Sequence, residues 1–150
     1  MSFQNTYKEK EKLSLTIKKA EELHGHLGPF LVIGVRIGET AKRMLEVESN
    51  EKLRATAKIP LKTPFSCILD GIQSTTQCTV GNQKLKIENS QREITVQFKL
   101  ENPNSTLKIG VNQQIIEELK QKFSQGATNQ ELAWKIVELP ENQLFSIEKQ

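Results

Sequence analysis

Apolar residues recur along this chain with two different periods, and the switches between them mark out its elements. Between Tyr7 and Leu23, Leu13, Ile17, Ala20 and Leu23 fall three and four apart among lysines and glutamates, the narrow stripe of an amphipathic surface helix. Gly28-Pro29 then gives a helix start. The helix that follows runs to about Leu45, and Phe30, Leu31, Val32, Ile33, Val35 and Ile37 make its first half apolar almost all round, which predicts a buried central helix. Gly34 and Gly38 lie four apart on one face of it, each costing about 1 kcal/mol of helix propensity relative to alanine. That cost implies a close approach, either by another backbone of the same chain or by a second copy of the helix.

From Leu53 the period drops to two: Leu53, Ala55, Ala57 and Ile59 alternate with Arg54, Thr56 and Lys58, as in a half-buried strand. Pro60 and Pro64 bracket a turn, and Phe65 to Gln77 has helical spacing, so a short helix is expected. Three further strands are predicted at Lys84 to Glu88, Glu93 to Leu100 and Thr106 to Ile109. Asn89-Ser90 and Asn102-Pro103-Asn104 supply the turns of an antiparallel meander. Val111 to Phe123 and Thr128 to Leu139 predict two helices around Gln125-Gly126-Ala127, and Leu144 to Ile147 an edge strand. Strands clustered between helices indicate an α+β fold, with a mixed or antiparallel sheet and helices packed on it. Residues 1–150 are read as a single domain, without repeat or linker.

Composition changes this picture mainly by exclusion. The 150 residues can bury a core without staples. A formal charge of +3, with cations dispersed among acids, gives no dense patch for nucleic acid. No window has the length of a membrane span. The start, Met1-Ser-Phe-Gln-Asn-Thr, lacks the apolar core of an export signal, and the two cysteines read as reduced thiols. A cytoplasmic protein is expected.

The candidate chemistry sits in two stretches. His24 and His26, the only histidines, flank Gly25 at the end of the first helix. An i, i+2 pair diverges on a regular helix, but irregular backbone around a glycine lets both imidazoles point one way. Left as a pair of loop histidines, they would simply bond backbone. The second stretch, Thr63 to Asn82, holds Cys67, Asp70 and Cys78. Metal ligation requires such donors to converge within about 2.0 to 2.3 Å of one ion. On one uninterrupted helix Cys67 and Cys78 would stand on the order of 16 Å apart along the axis, so a shared site needs the chain to turn near Thr75 to Gln77. Otherwise Cys67 is a small buried hydrophobe, and Asp70, Ser74, Thr75 and Thr76 serve local structure. The P-loop, the dinucleotide-binding glycine fingerprint and the G-x-S-x-G elbow are absent.

Together, HGHLGPF, the apolar helix with Gly34 and Arg36, and TPFSCILDGIQSTTQCTVGN resemble the family formed by the E subunit of formylmethanofuran dehydrogenase and its stand-alone homologues, over about Leu15 to Leu119. The resemblance implies an α+β core related to the C-terminal domain of glyceraldehyde-3-phosphate dehydrogenase, a homodimer, and a metal-binding site made from the histidine motif and the Cys-x-x-Asp-Gly-Ile-Gln segment. Carried over residue by residue, it implies His24, His26, Cys67 and Cys78 as metal ligands, Cys67 and Asp70 as catalytic candidates, and Gln73 as a cofactor-binding candidate, to which the adjacent Ser74 is added. Many members read H-G-H-x-C-P-G and T-G-C-T-x-G-K. Here Gly28 and Phe30 replace the cysteine and glycine of the first, Gln77 and Asn82 the glycine and lysine of the second. No cysteine follows Cys78 in these 150 residues, so the zinc ribbon that some members append is not expected in them.

The expected function is that of a zinc-binding or other divalent-metal-binding accessory or small-molecule-binding protein in redox or one-carbon metabolism, alone or with a larger oxidoreductase complex. Two alternatives stand beside it. One is a non-catalytic interaction module; the other is an enzyme with Cys67 as thiolate nucleophile and a histidine as base.

Overall fold

A computed structural model describes residues 3–102 and 104–150. Met1 and Ser2, where the export-signal expectation begins, and Pro103 of the predicted turn lie outside the described residues. The elements run α1 (Phe3–His24), α2 (Pro29–Met44), a 3-10 turn (Asn50–Lys52), β1 (Leu53–Ile59), α3 (Cys67–Thr76), β2 (Leu85–Asn89), β3 (Thr95–Leu100), β4 (Ser105–Val111), α4 (Gln113–Ser124), α5 (Asn129–Glu138), the single turn α6 (Glu141–Leu144) and β5 (Phe145–Lys149).

The strands form one five-stranded sheet in the order β2-β1-β3-β4-β5. Strand β1 pairs antiparallel with β3 but parallel with β2, and the remaining pairs are antiparallel. The sheet is therefore mixed, and the expected meander is corrected: β2 and β3 are not partners but lie on opposite sides of β1. A parallel pair needs a crossover, which α3 provides. The short link after β2 passes over the end of β1, where the Ser90 N–H donates to the Ile59 carbonyl at 3.0 Å. Alternation survives the change of topology, since Leu53, Ala55, Ala57 and Ile59 are all buried while Arg54 and Lys58 are exposed.

Val111, predicted to open a helix, belongs instead to β4; its N–H donates to the Ile94 carbonyl at 2.9 Å. Asn112 then caps α4, its side chain accepting the Gln114 N–H at 3.0 Å, and Thr128 caps α5 in the same way through the Glu131 N–H.

Helix α2 is the hub, buried from Pro29 to Val35 and again at Ile37 and Gly38. Its glycine face is used within the chain. A Cβ on Gly34 would run into the carbonyl of Ile68 and lie 3.0 Å from the Cα of Gly71, and one on Gly38 would lie 2.7 Å from Thr75 Cγ2. Helices α2 and α3 therefore meet backbone to backbone, which explains the propensity cost and removes this face as a surface for self-association. No helix among the described residues is long and apolar enough to cross a membrane.

Candidate metal centre

Helix α1 ends at His24. Gly25 follows with φ +100°, a left-handed conformation that glycine adopts without strain, and its N–H closes the last turn on the Glu21 carbonyl at 2.7 Å. The reversal brings His26 back beside His24, with ring centroids 4.5 Å apart and planes tilted by 42°. Leu27 and Gly28 are buried and lead into Pro29 at the start of α2, so both sides of the histidine turn are anchored.

Helix α3 supplies the opposite wall. Cys67, Asp70 and Gln73 recur every third residue and so stand along one face. The segment before Cys67 is held by Phe65, which meets Phe30 edge-on at 5.4 Å and lies under the Lys120 ammonium, also at 5.4 Å from the ring centre.

One potential ligand atom from each of His24, His26 and Cys67 lies within 4.8 Å of the others. The Nδ1–H of His24 donates to Asp70 Oδ2 at 2.6 Å, and Gln73 Nε2 donates to Asp70 Oδ1 at 3.3 Å. With Nδ1 engaged, Nε2 is the His24 nitrogen with a free lone pair, and it is buried without a hydrogen-bond partner. A buried polar atom in that condition costs about 1 to 3 kcal/mol. An imidazole whose second nitrogen is fixed by a carboxylate is the usual arrangement of a metal-binding histidine. Two imidazoles and one thiol suit zinc or a similar divalent transition ion, with a fourth position left over. The residues present therefore fit a metal.

Cys78 does not belong to this group. The chain does turn where a shared site would require it, at Gln77 with φ 56°, but the turn carries Cys78 into the core. Its thiol is fully buried and donates to the Leu53 carbonyl at 3.3 Å. The expectation of Cys78 as a fourth ligand is corrected: among the described residues the donor cluster comprises His24, His26 and Cys67, and Cys78 packs in the core.

Burial, and then the charge of Asp70, push the Cys67 thiol pKa up. A neutral thiol is a poor nucleophile, so the thiolate-enzyme alternative would need a further group to take the Cys67 proton. Asp70 meets the site as the group that orients His24. Gln73 has both ends of its amide occupied, since its Oε1 accepts the Val80 N–H at 3.1 Å. Ser74 is half-buried, two turns beyond Cys67, roughly 10 Å along the axis. At Gly28, where many family members carry cysteine, a Cβ would lie 3.3 Å from Asn129 Oδ1 at the start of α5. The sequence offered His24, His26, Cys67, Asp70 and Cys78 as candidate donors without separating Cys78 from the rest; the bracing by Gln73 and the neighbour Asn129 were missed, and only the every-third-residue pattern on α3 hinted at the former.

Residues 23–146 match the sequence pattern of the family described as "FmdE, Molybdenum formylmethanofuran dehydrogenase operon". A stretch of 75 residues, 49% of this chain, is 36% identical to a protein of Archaeoglobus fulgidus named "Probable S-adenosyl-L-methionine-binding protein" and covers 20% of it. The match thus spans about a fifth of that relative's length. The fold is similar to the crystal structure of an FmdE-like protein, of the tungsten formylmethanofuran dehydrogenase type, from Syntrophus aciditrophicus, with a TM-score of 0.59 and 17% identity over 92% of this chain and 71% of that one. At that identity the likeness speaks for the fold, whereas the sequence match runs over most of the chain and reaches both stretches that carry the site. This chain belongs to the FmdE family.

Proposed function

We propose that this FmdE-family protein binds a divalent transition metal, zinc in first place, through His24, His26 and Cys67. It would act as an accessory or small-molecule-binding protein in redox or one-carbon metabolism. The observation that carries the reading is the buried, partnerless Nε2 of His24, whose ring is held by Asp70 beside two further donors. A bound zinc would supply a Lewis-acid position open to water or a ligand donor atom. The protein's own part is to hold His24 in one tautomer, to give up the Cys67 proton on binding, and to shield the group beneath the histidine turn. Gly28 in place of a cysteine withholds a thiolate, which supports modest affinity and an open position.

The relative's name suggests a ligand class to try, a sulfonium compound such as S-adenosylmethionine, although that protein is far longer than the matched stretch. Calorimetric titration of zinc into metal-free, untagged protein tests the reading. One equivalent is expected to bind to the parent and to Cys78→Ser, with binding lost or at least about tenfold weaker in His24→Ala and Cys67→Ser. Indistinguishable curves for all four proteins would end the metal reading. S-adenosylmethionine added with and without zinc then asks whether the open position takes a ligand.

A further inference from the structure

We infer that Gln73 is a positioning residue which clamps Asp70, and through it the tautomer of His24, to the loop of residues 77–84. The clamp deepens the metal reading but is defined without a metal. Its orientation is forced by the chemistry at its two ends. A backbone N–H can only donate and a carboxylate can only accept, so the Val80 N–H fixes Oε1 of Gln73 on the loop side and Nε2 on Asp70 Oδ1. The other carboxylate oxygen receives His24 Nδ1–H. Four groups thus form one unbroken chain from loop backbone to imidazole, and no other arrangement of the amide satisfies both ends.

The loop end of this chain is itself braced, and by the residues at which this protein departs from the common family motif. Asn82 Oδ1 accepts the N–H groups of Thr79 and Lys84, both at 3.0 Å, and Asn82 Nδ2 donates to the Gln77 carbonyl at 2.7 Å. The Asn82 N–H donates to Thr79 Oγ1 at 3.0 Å. Gln77, in its left-handed conformation, also accepts a hydrogen bond from the Asn50 side chain. Val80, between these anchors, presents its N–H from a fixed position even though its own side chain is exposed. The substitutions Gln77 and Asn82 therefore build a platform that holds Gln73. Asp70 needs one, because its side chain is 36% exposed and would otherwise be free to rotate toward water.

The test is the 15N NMR signature of the His24 imidazole in metal-free protein, at a pH where the ring is neutral, for the parent, Gln73→Leu and Asn82→Ala. The parent is expected to show the Nδ1–H tautomer in clear excess. Gln73→Leu should reduce the tautomer ratio by roughly threefold or more, with Asn82→Ala moving it the same way by less. In zinc titrations, Gln73→Leu should weaken binding by roughly tenfold, with little further loss when it is added to Asp70→Asn, because it acts through that carboxylate. Unchanged tautomer ratios in folded Gln73→Leu or, should that variant not fold, in Asn82→Ala would overturn the inference. Failure of the parent to bind zinc would sink the metal reading alone, since the tautomer measurement judges the clamp separately.

Discussion

Gly34 shows how much one missing Cβ decides. Alanine there would gain about 1 kcal/mol of helix propensity, yet its methyl would strike the Ile68 carbonyl and crowd Gly71, backbone atoms that cannot rotate away. Overpacking of that kind costs about 1 to 3 kcal/mol or more, so Gly34→Ala is predicted to lose about 3 kcal/mol in urea denaturation. Gly81→Ala, whose Cβ would have only Thr79 Oγ1 near it at 3.9 Å, should stay within about 0.5 kcal/mol of the parent. Cys78 gives a prediction in pH. Burial raises its thiol pKa, as burial and Asp70 raise that of Cys67, so both thiols are neutral in the folded protein when the unfolded chain begins to ionise at about 8.5. A raised folded pKa means the contribution to stability is complete below the unfolded value and is lost as pH rises through the folded one. Metal-free protein should therefore lose stability above about pH 8.5, and Cys78→Ala, though less stable at neutral pH, should show a shallower alkaline slope. At Gly28, where the atoms nearest an added Cβ all belong to the side chain of Asn129, cysteine is predicted to fold normally and to tighten zinc binding in calorimetry.

Among the elements, α5 depends on a residue far away in sequence. The half-buried Arg36 of α2 donates from Nη1 to the Ile136 carbonyl at 2.8 Å, which also accepts the Leu139 N–H at 3.4 Å, and to the Leu139 carbonyl, closing the end of α5 where few intrahelical donors remain. Burial lowers the guanidinium pKa and the nearby Glu141 offsets this; Glu141 is itself held by Arg43 at 2.6 Å and by Thr40 at 3.1 Å. Arg36→Met keeps the apolar stem but takes a donor from both carbonyls and leaves that of Ile136 with only the Leu139 N–H at 3.4 Å, with a predicted loss of about 2 kcal/mol. In hydrogen exchange the amides of α5 should lose protection before those of β1 and β3, since the helix is fastened from outside while those strands are paired on both sides.

For the molecule as a whole, the metal centre would join the end of α1 to α3 across the start of α2, so binding should act on global stability. Zinc at a hundred times its dissociation constant would add about 2.7 kcal/mol. The melting temperature is predicted to rise with zinc, to fall back with chelator, and to ignore both in His24→Ala; an equal rise in that variant would mean the ion binds elsewhere. Much of this architecture was already legible in the residues. The period of 3.6 in α1, α2, α4 and α5 and the period of 2 in β1 and β3 follow from which positions must face a core, and His24, His26 and Cys67 stood out as candidate donors although each also has an ordinary structural use. Periodicity says which face of a strand is buried but nothing about its neighbour, so the parallel pairing of β2 with β1 was out of reach. For the same reason a shared site could be said to need a turn near Thr75 to Gln77, while the direction of that turn could not be read. Whether that turn offered Cys78 to a metal or to the core was decided by the backbone contact of α2 with α3 and by the Leu53 carbonyl waiting on β1, interactions that exist only once the chain has folded.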